Sequence, residues 1–479
     1  MKLIAKWAGF WGALTTIGCT SANGVEPARG AESVHSTVGE GVHKTGENNG
    51  AAPIEFVEDN VEEAAQKAKK EGKALFVDVW APWCHTCLSM KNYVLGEPAL
   101  RPLAERVVFA SIDSDKPSSA KFMESHKINV WPTFFVIDPE ADRVVGAWPG
   151  SASLAEMRGF VTDSLAMMDQ VRAGKLAEGD PLRMMAEARA VQAGGDAAKA
   201  ALLFEKAVEK LPADHARRSE ALSGWLFALY VAKEYTRCGE IGRVHIGSVK
   251  GAAVPADVAS IVLSCAEHLE GDAQKTTRAA AVIRLREVTA NPSPEASADD
   301  RADAWGLLSE ALEDSGDAAG ARNALEQKLS VLEKAAISAP TPEVAATYDY
   351  ARAGTYVALG KGGYAVAMLE AREKQMPTSY EPPARLASTL FKLSRYAEAK
   401  AAVDRAIERA YGPRKLGYLR LRVSILLKLN DRAGALETAR AEVKGWQDLP
   451  AGQAGAPALA DAKKRLADLE NKPDPARVP

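Results

Sequence analysis

The apolar positions between residues 55 and 170 fall into short continuous runs separated by amphipathic stretches of helical period. Short apolar runs bounded by turn-forming residues are typical of buried strands, and a 3.6-residue period is typical of helices. After a first helix over 61–70, the predicted order is β-α-β-α-β-β-α, with residues 139–142 as a hairpin turn. The pattern predicts an α/β domain over 55–170, with strands at 75–79, 107–112, 134–137 and 143–148.

From residue 178 the pattern changes to helix-length runs rich in Ala, Leu, Glu, Lys and Arg. Seven turn-forming breakers recur between residues 196 and 431 about every 39 residues, near the repeat length of helical solenoids. We therefore expect a multidomain chain in which an all-α solenoid over 178–447 follows the α/β domain. The breakers begin at Gly195, Lys233, Gly271, Gly316, Gly360, Ser394 and Asn430, and Pro212, Pro255, Pro377 and Pro413 stand between the predicted helix pairs.

Residues 1–19 have the pattern of an export signal, in which two lysines precede an apolar run too short to span a bilayer. The segment Thr16-Ile17-Gly18-Cys19 resembles a bacterial lipobox with Thr in place of the usual Leu, which predicts lipidation at Cys19. Ordinary cleavage after Ala22-Asn23-Gly24 is the alternative. Both interpretations predict an exported protein of the periplasm or cell envelope, and the first predicts a lipid anchor.

Composition changes this picture at the two ends and in the overall charge. Residues 20–54 contain six Gly and no aromatic residue, which predicts a flexible linker, and residues 448–479 predict a short helix and a loose tail. The chain has 60 Lys and Arg against 63 Asp and Glu, a net charge of −3, which excludes the basic footprint of a nucleic-acid-binding protein. Membrane association is expected only through the lipid anchor.

The candidate chemistry lies in the segment Trp80-Ala81-Pro82-Trp83-Cys84-His85-Thr86-Cys87, which follows a predicted strand and opens a helix. A thiol at a helix N-terminus is favoured as thiolate, so Cys84 should attack a disulfide of a partner. Cys87 is one turn later on the same face and should resolve the mixed disulfide. No two further ligands at close spacing support a zinc site, and we expect neither a metal nor a cofactor.

This segment, one earlier residue and one later loop resemble the thioredoxin fold, in particular the C-terminal domain of bacterial transmembrane thiol:disulfide interchange proteins. Asp78 matches the buried acid of that family, and Val130-Trp131-Pro132-Thr133 matches its cis-proline loop. The resemblance implies that Asp78 takes the proton of Cys87 and that Pro132 is cis and faces Cys84. It also implies substrate contact at Trp83, His85, Trp131 and Pro132, with the backbone of Trp131 offered to a substrate strand.

Two departures from the family affect the expected redox behaviour. Phe109 replaces the Lys that many thioredoxins place near the buried acid, which weakens a proton relay through Asp78. His85-Thr86 replaces Gly-Pro, and a charged His85 would stabilise the thiolate and raise the reduction potential, whereas a solvated His85 would do neither. The family resemblance favours reduction, while His85 and an oxidising compartment favour oxidation.

The helical region resembles tetratricopeptide repeats, closely in one unit and partly in a second. The other units fit poorly, and a non-repeating helical bundle is the alternative. Cys238 and Cys265 lie in this region either as buried thiols or as a disulfide. The matching positions are Leu386, Ala387, Leu390, Leu393, Tyr396, Ala399, Val403 and Ala406, and then Ala188, Val191, Ala200, Phe204, Ala207 and Pro212.

Two functions are consistent with this organisation. In the first, the chain is an exported thiol–disulfide oxidoreductase that acts on protein thiols or disulfides through Cys84 and Cys87, and its repeats bind a partner or substrate. A membrane electron donor or acceptor is a further candidate partner. In the second, the repeats are a scaffold for protein–protein interaction and the thioredoxin-like domain is a docking module. The complete set of Cys84, Cys87, Asp78 and Pro132 favours the first.

Overall fold

The computed structural model describes residues 54–175 and 179–471. The predicted export signal, Cys19, nearly all of the predicted linker and the last eight residues lie outside the described residues. Among the residues described, no helix has both the length and the apolar composition needed to cross a membrane.

A five-stranded sheet forms the centre of the N-terminal domain, with strand order β1-β3-β2-β4-β5. Strands β1, β3 and β2 are parallel, while β4 and β5 form an antiparallel hairpin at the other edge. The four predicted strands are confirmed, but β1 was missed because three residues carry too little pattern. The strands are β1 (Phe56–Glu58), β2 (Ala74–Trp80), β3 (Val107–Asp113), β4 (Thr133–Asp138) and β5 (Arg143–Pro149).

Four α-helices cover the two faces of the sheet, and their ends follow local capping chemistry. The side chain of Asn60 accepts a hydrogen bond from the backbone amide of Glu63. Gly72 ends the first helix with backbone angles in the left-handed region. Ser153 and Glu156 form a full capping box before the last helix. The helices are α1 (Val61–Glu71), α2 (His85–Met90), α3 (Ala120–Ser125) and α4 (Leu154–Arg172), with a π-helical turn over Lys91–Leu95 and 3-10 helices over Pro98–Glu105 and Pro117–Ser119.

Side chains alternate between two apolar layers along β2, because successive residues of a strand point to opposite faces. Phe76 packs with Phe134 and α4 on one face, whereas Leu75 and Val77 pack with α1 and α3 on the other. Every residue of β2 before Trp80 is buried. Asp78 follows Phe76 at the same alternation, so its carboxyl lies on the face that carries α2.

Fourteen of the sixteen helices that remain in the described part of the chain form seven successive pairs, and the other two, Pro342–Ala346 and Ala456–Asn471, lie outside the pairs. The residue that opens each of the seven predicted breakers has a positive φ, from 58° at Gly271 to 96° at Gly195, and joins the two helices of a pair. The predicted breakers are thus the turns within the pairs. The helices are α5 (Pro181–Ala193), α6 (Ala197–Lys210), α7 (Arg218–Val231), α8 (Tyr235–His245), α9 (Val254–Ala266), α10 (Gly271–Ala290), α11 (Ala298–Asp314), α12 (Ala318–Ser338), α13 (Pro342–Ala346), α14 (Asp349–Ala358), α15 (Gly362–Gln375), α16 (Glu381–Lys392), α17 (Tyr396–Arg409), α18 (Gly412–Lys428), α19 (Arg432–Asp448) and α20 (Ala456–Asn471).

Small side chains allow these helices to pack closely, as the repeat pattern predicts. Ala399, Val403 and Ala406 are fully buried on one face of α17. Gly224 in α7 lies against the ring of Phe204, and a Cβ at this position would come within 2.6 Å of the ring. Helix pairs of this kind, stacked along the chain, form a solenoid.

A disulfide joins two neighbouring helices of the solenoid, which decides between the two interpretations of its cysteines. Cys238 in α8 and Cys265 in α9 are both fully buried, with Cα atoms 6.2 Å apart. The link spans 27 residues of chain. Such a cross-link stabilises mainly by restricting the unfolded chain.

The solenoid packs against the carboxyl ends of β2 and β3. Tyr411 donates a hydrogen bond to Asp113, the last residue of β3. The side-chain amide of Gln453 donates to the backbone oxygens of Ser114 at 2.9 Å and Lys116 at 2.8 Å. Gly412 adopts φ 55°, and a Cβ there would stand 2.0 Å from a backbone oxygen of the N-terminal domain, so only glycine permits this approach.

The solenoid disulfide should contribute about 3 kcal/mol to the stability of the repeats, given the length of chain it closes. In a Cys84→Ser, Cys87→Ser background, reductant should lower the temperature of thermal unfolding followed by circular dichroism. The matched control adds Cys238→Ala and Cys265→Ala, and its unfolding temperature should not respond to reductant. Equal responses of the two proteins would contradict the prediction.

Candidate active site

Cys84 and Cys87 form a disulfide at the N-terminus of α2, with Cα atoms 5.2 Å apart. Cys84 is the N-cap residue, and the backbone N–H of Cys87 donates to its Sγ at 3.0 Å. This is the position at which free amides and the helix dipole favour a thiolate. Cys84 is 6 % exposed and Cys87 1 % exposed, so both residues are buried and Cys84 is the less enclosed of the two.

Three tryptophans surround the pair and fix its environment. Trp80, Trp83 and Trp131 pack against the cluster that contains both cysteines. Trp131 donates its indole N–H to Ser114 Oγ at 3.0 Å, and its ring lies 5.5 Å from that of Trp83. The Trp131–Pro132 bond is cis, as the family resemblance implied, and Pro132 is buried.

Asp78 is 1 % exposed and lies on the face of β2 that carries α2. Burial raises the pKa of this carboxyl to about 7, although Lys91 and a hydrogen bond from Ser111 oppose the change. Ser111 Oγ donates to Asp78 Oδ2 at 3.2 Å from the paired position on β3. A carboxyl with a pKa near neutrality can both accept and release a proton at physiological pH, which suits the predicted exchange with Cys87.

Lys91 places a positive charge near Asp78, although Phe109 occupies the strand position where many thioredoxins have a lysine. Phe109 stands opposite Phe76 in the core, while Ser111 is the residue opposite Asp78. Lys91 Nζ lies 3.5 Å above the ring of Trp80, and its charge acts on Asp78. Burial lowers the pKa of Lys91, while Asp78 acts to raise it. The expected weakening of the relay therefore does not follow from Phe109.

The position of Lys91 in the sequence is itself a signal for this role. Lys91 stands seven residues after Cys84, which is two turns along one helix face. It begins the π-helical turn that continues α2. A basic residue on the cysteine face of the helix can serve the same electrostatic purpose as one on the neighbouring strand.

His85 is held by the solenoid and is not a solvated residue. Its Nδ1 lies 2.9 Å from Asp299 Oδ1 and 3.0 Å from Oδ2, and its ring stacks on Tyr350. Burial acts to lower the pKa of His85, but Asp299 and Asp303 outweigh burial and raise it to about 9. The imidazole is therefore charged at neutral pH, as one of the two interpretations of the sequence required.

Trp83 belongs to the N-terminal domain and faces the solenoid. Its indole N–H donates to Asp115 Oδ2 at 2.8 Å, and the guanidinium of Arg414 sits 4.8 Å from the ring centre. Burial and the charge of Asp113 raise the pKa of Asp115 to about 7. A cavity of about 50 Å³ opens beside Trp83 and is lined mainly by α18, α19 and α20.

The fold and the site together define a class of protein. A sheet of this order, a Cys-x-x-Cys pair at the start of α2 and a cis-proline directly after Trp131, which packs against the pair, define a thioredoxin-like domain. The stacked helix pairs that follow define a tetratricopeptide-like solenoid. The structure thus joins the two expected parts in one chain.

Comparison with known proteins identifies the family. Residues 61–161 match the family model described as a thioredoxin-like domain. The chain is 32 % identical over 87 residues to a thioredoxin H-type of Fagopyrum esculentum, covering 18 % of this chain and 71 % of that protein. It is 33 % identical over 85 residues to a thioredoxin of Coprinus comatus, covering 17 % and 77 % respectively. This chain belongs to the thioredoxin family.

Two tetratricopeptide repeat proteins of low sequence identity are among the solved structures similar to the chain. One from Parabacteroides merdae is 13 % identical with a TM-score of 0.36, covering 61 % of this chain and 99 % of that one. One from Thermus thermophilus is 21 % identical with a TM-score of 0.26, covering 52 % and 98 %.

Cys84 should be the more reactive thiol in the reduced protein. Its Sγ accepts the amide of Cys87 and is the less buried of the two sulfurs. Alkylation with iodoacetamide at neutral pH, mapped by mass spectrometry, should label Cys84 first. Because Cys84→Ser and Cys87→Ser each leave one active-site thiol, their separate rates provide the control. Faster labelling of Cys87 would overturn the assignment.

The buried charge of Asp78 should make the oxidised protein less stable as pH rises. The folded-state pKa of Asp78 is about 7 against an ordinary 3.8, so the folded state retains a proton that the unfolded state releases. Stability is therefore lost as pH rises from about 4 to about 7. Asp78→Asn should increase the free energy of unfolding at pH 8 by up to about 4 kcal/mol, with little change at pH 4.

Asp138 provides the matched control, since it is a buried aspartate on the neighbouring strand whose pKa is lowered, whereas that of Asp78 is raised. A hydrogen bond from Arg172 lowers the pKa of Asp138, and that contact is 2.6 Å long. The stability it contributes is present above the unfolded-state pKa and is lost as pH falls. Asp138→Asn should therefore destabilise the protein at pH 8 in denaturant unfolding. Equal changes for both variants would contradict the account of Asp78.

Proposed function

We propose that this chain is an exported thiol–disulfide oxidoreductase that acts on protein thiols or disulfides through Cys84 and Cys87. The observation that carries the proposal is the placement of Cys84 at the N-cap of α2, where its sulfur accepts the Cys87 amide at 3.0 Å. That contact selectively favours the thiolate form of the attacking residue. Family membership supports the same chemistry.

The thiol–disulfide exchange proceeds in two steps. The Cys84 thiolate attacks a substrate disulfide, forming a mixed disulfide and releasing one substrate thiolate. The Cys87 thiolate then attacks the Cys84 sulfur, releasing the second substrate sulfur as a thiolate and leaving the Cys84–Cys87 disulfide. Asp78 accepts the Cys87 proton before this second attack, and its pKa near 7 suits that role. The reverse sequence oxidises a substrate dithiol.

The solenoid selects which substrates reach the pair. It contacts the active-site end through Asp299 on α11, Tyr350 on α14 and Arg414 on α18. A substrate segment must therefore pass between the two parts of the chain before it pairs with the backbone of Trp131. Repeat surfaces of this kind suit a protein partner, and binding there raises the local concentration of its disulfide at Cys84.

Two observations support export. The first 19 residues carry the charge and apolar pattern of a signal, with Cys19 in a lipobox-like setting. The second disulfide, Cys238–Cys265, is fully buried in the solenoid and has no place in the redox site. Structural disulfides of this kind are typical of proteins outside the cytoplasm.

Substrate trapping in the cell envelope of the native host tests the function. A Cys87→Ala variant cannot resolve the mixed disulfide, so it should accumulate reductant-sensitive adducts on Cys84, seen by non-reducing electrophoresis and mass spectrometry. The matched control is Cys84→Ala, which retains Cys87 and should accumulate none. If neither variant forms adducts, the scaffold alternative becomes the better account.

A further inference from the structure

His85 is linked to a residue of the solenoid 214 positions away in the chain. Its Nδ1 lies within 3.0 Å of both oxygens of the Asp299 carboxylate, and the Asp299 side chain is only 2 % exposed. The imidazole stacks on Tyr350 with ring centres 5.9 Å apart and ring planes 15° from parallel. The ring is thus fixed in position by two helices that do not belong to the thioredoxin-like domain.

We propose that Asp299 is a positioning residue of the redox site, which holds His85 in place as an imidazolium beside Cys84. The inference rests on the proposed function and extends it, since it makes the solenoid part of the machinery that sets thiol reactivity. His85 directly follows Cys84 in the chain and is the first residue of α2. Its positive charge adds to the helix N-terminus that already favours the Cys84 thiolate.

The charges around His85 explain why Asp299 controls its protonation. Asp299 and Asp303 on α11 both favour the imidazolium, while Lys328 on α12 and burial oppose it. The neutral ring of Tyr350 stacks on the imidazole. Without Asp299, the pKa of His85 should fall, because burial and Lys328 disfavour the imidazolium and only Asp303 would still favour it.

The consequence concerns the pH range over which the enzyme works. An ordinary His changes charge between about pH 5 and 8, so a His beside the nucleophile would make thiol reactivity follow its titration. With a pKa of about 9, His85 remains charged throughout that range. Asp299 therefore makes the reactivity of Cys84 independent of His85 titration near neutrality.

Proton NMR of the oxidised full-length protein tests the first part directly, with the His85 signal assigned by its loss in His85→Gln. His85 should titrate near pH 9 in the wild type and at 6.5 or below in Asp299→Asn. Asp299→Glu retains the carboxylate and should return the titration to above about pH 7.5. The same His85 pKa in wild type and Asp299→Asn would overturn the inference.

The pH dependence of Cys84 alkylation in the reduced protein tests the second part. Asp299→Asn should introduce an extra ionisation near pH 6 and slow alkylation at pH 7.5 about three- to tenfold, because the positive charge on the residue that follows Cys84 is lost. In a His85→Gln background, adding Asp299→Asn should change neither the rate nor the profile. An equal loss of rate in that background would show a merely structural role and would overturn the inference.

The two proposals fail separately. The His85 titration needs no substrate and no turnover, so an unchanged titration removes the role of Asp299 and leaves the proposed function standing. Absence of adducts in the trapping experiment removes the function, whatever the titration shows.

Discussion

The start of α2 is the constraint on which the rest of this molecule depends. The helix must begin at Cys84, because only there can the free amide of Cys87 reach the Cys84 sulfur. Strand β2 fixes that point by ending at Trp80, and the turn that follows delivers both cysteines to the carboxyl end of the sheet. The tryptophans, the cis-proline and the solenoid all meet at this end.

Two buried aspartates in adjacent strands differ in whether their surroundings favour the charged carboxylate. Asp138 faces the guanidinium of Arg172 at 2.6 Å, which stabilises its carboxylate. Asp78 has a weaker set of partners in Ser111 and Lys91, and burial dominates its titration. Burial therefore leaves the charge of Asp78 incompletely compensated, as is common for ionisable groups at functional sites.

The relation between the two parts of the chain changes how the active site is understood. In an isolated thioredoxin-like domain, residues beside the cysteines would meet solvent. Here His85 meets Asp299, Trp83 meets Arg414, and the two cysteines are almost fully enclosed. The surroundings of the cysteine pair are therefore formed by both parts of the chain, and a substitution in the repeats can change contacts in the other domain.

The sequence by itself determined the features that depend on a few adjacent residues. These are the order of strands and helices from β2 onward, the caps at Asn60 and Ser153, the turns of the helix pairs and the cysteine pair at the start of α2. Only the tertiary structure decided that Lys91 acts on Asp78 in place of the family's strand lysine, that Cys238 pairs with Cys265, and that Asp299 favours the protonated form of His85. Caps and periodicity act within a helical turn, whereas those three contacts depend on how separate segments pack, which local pattern does not record.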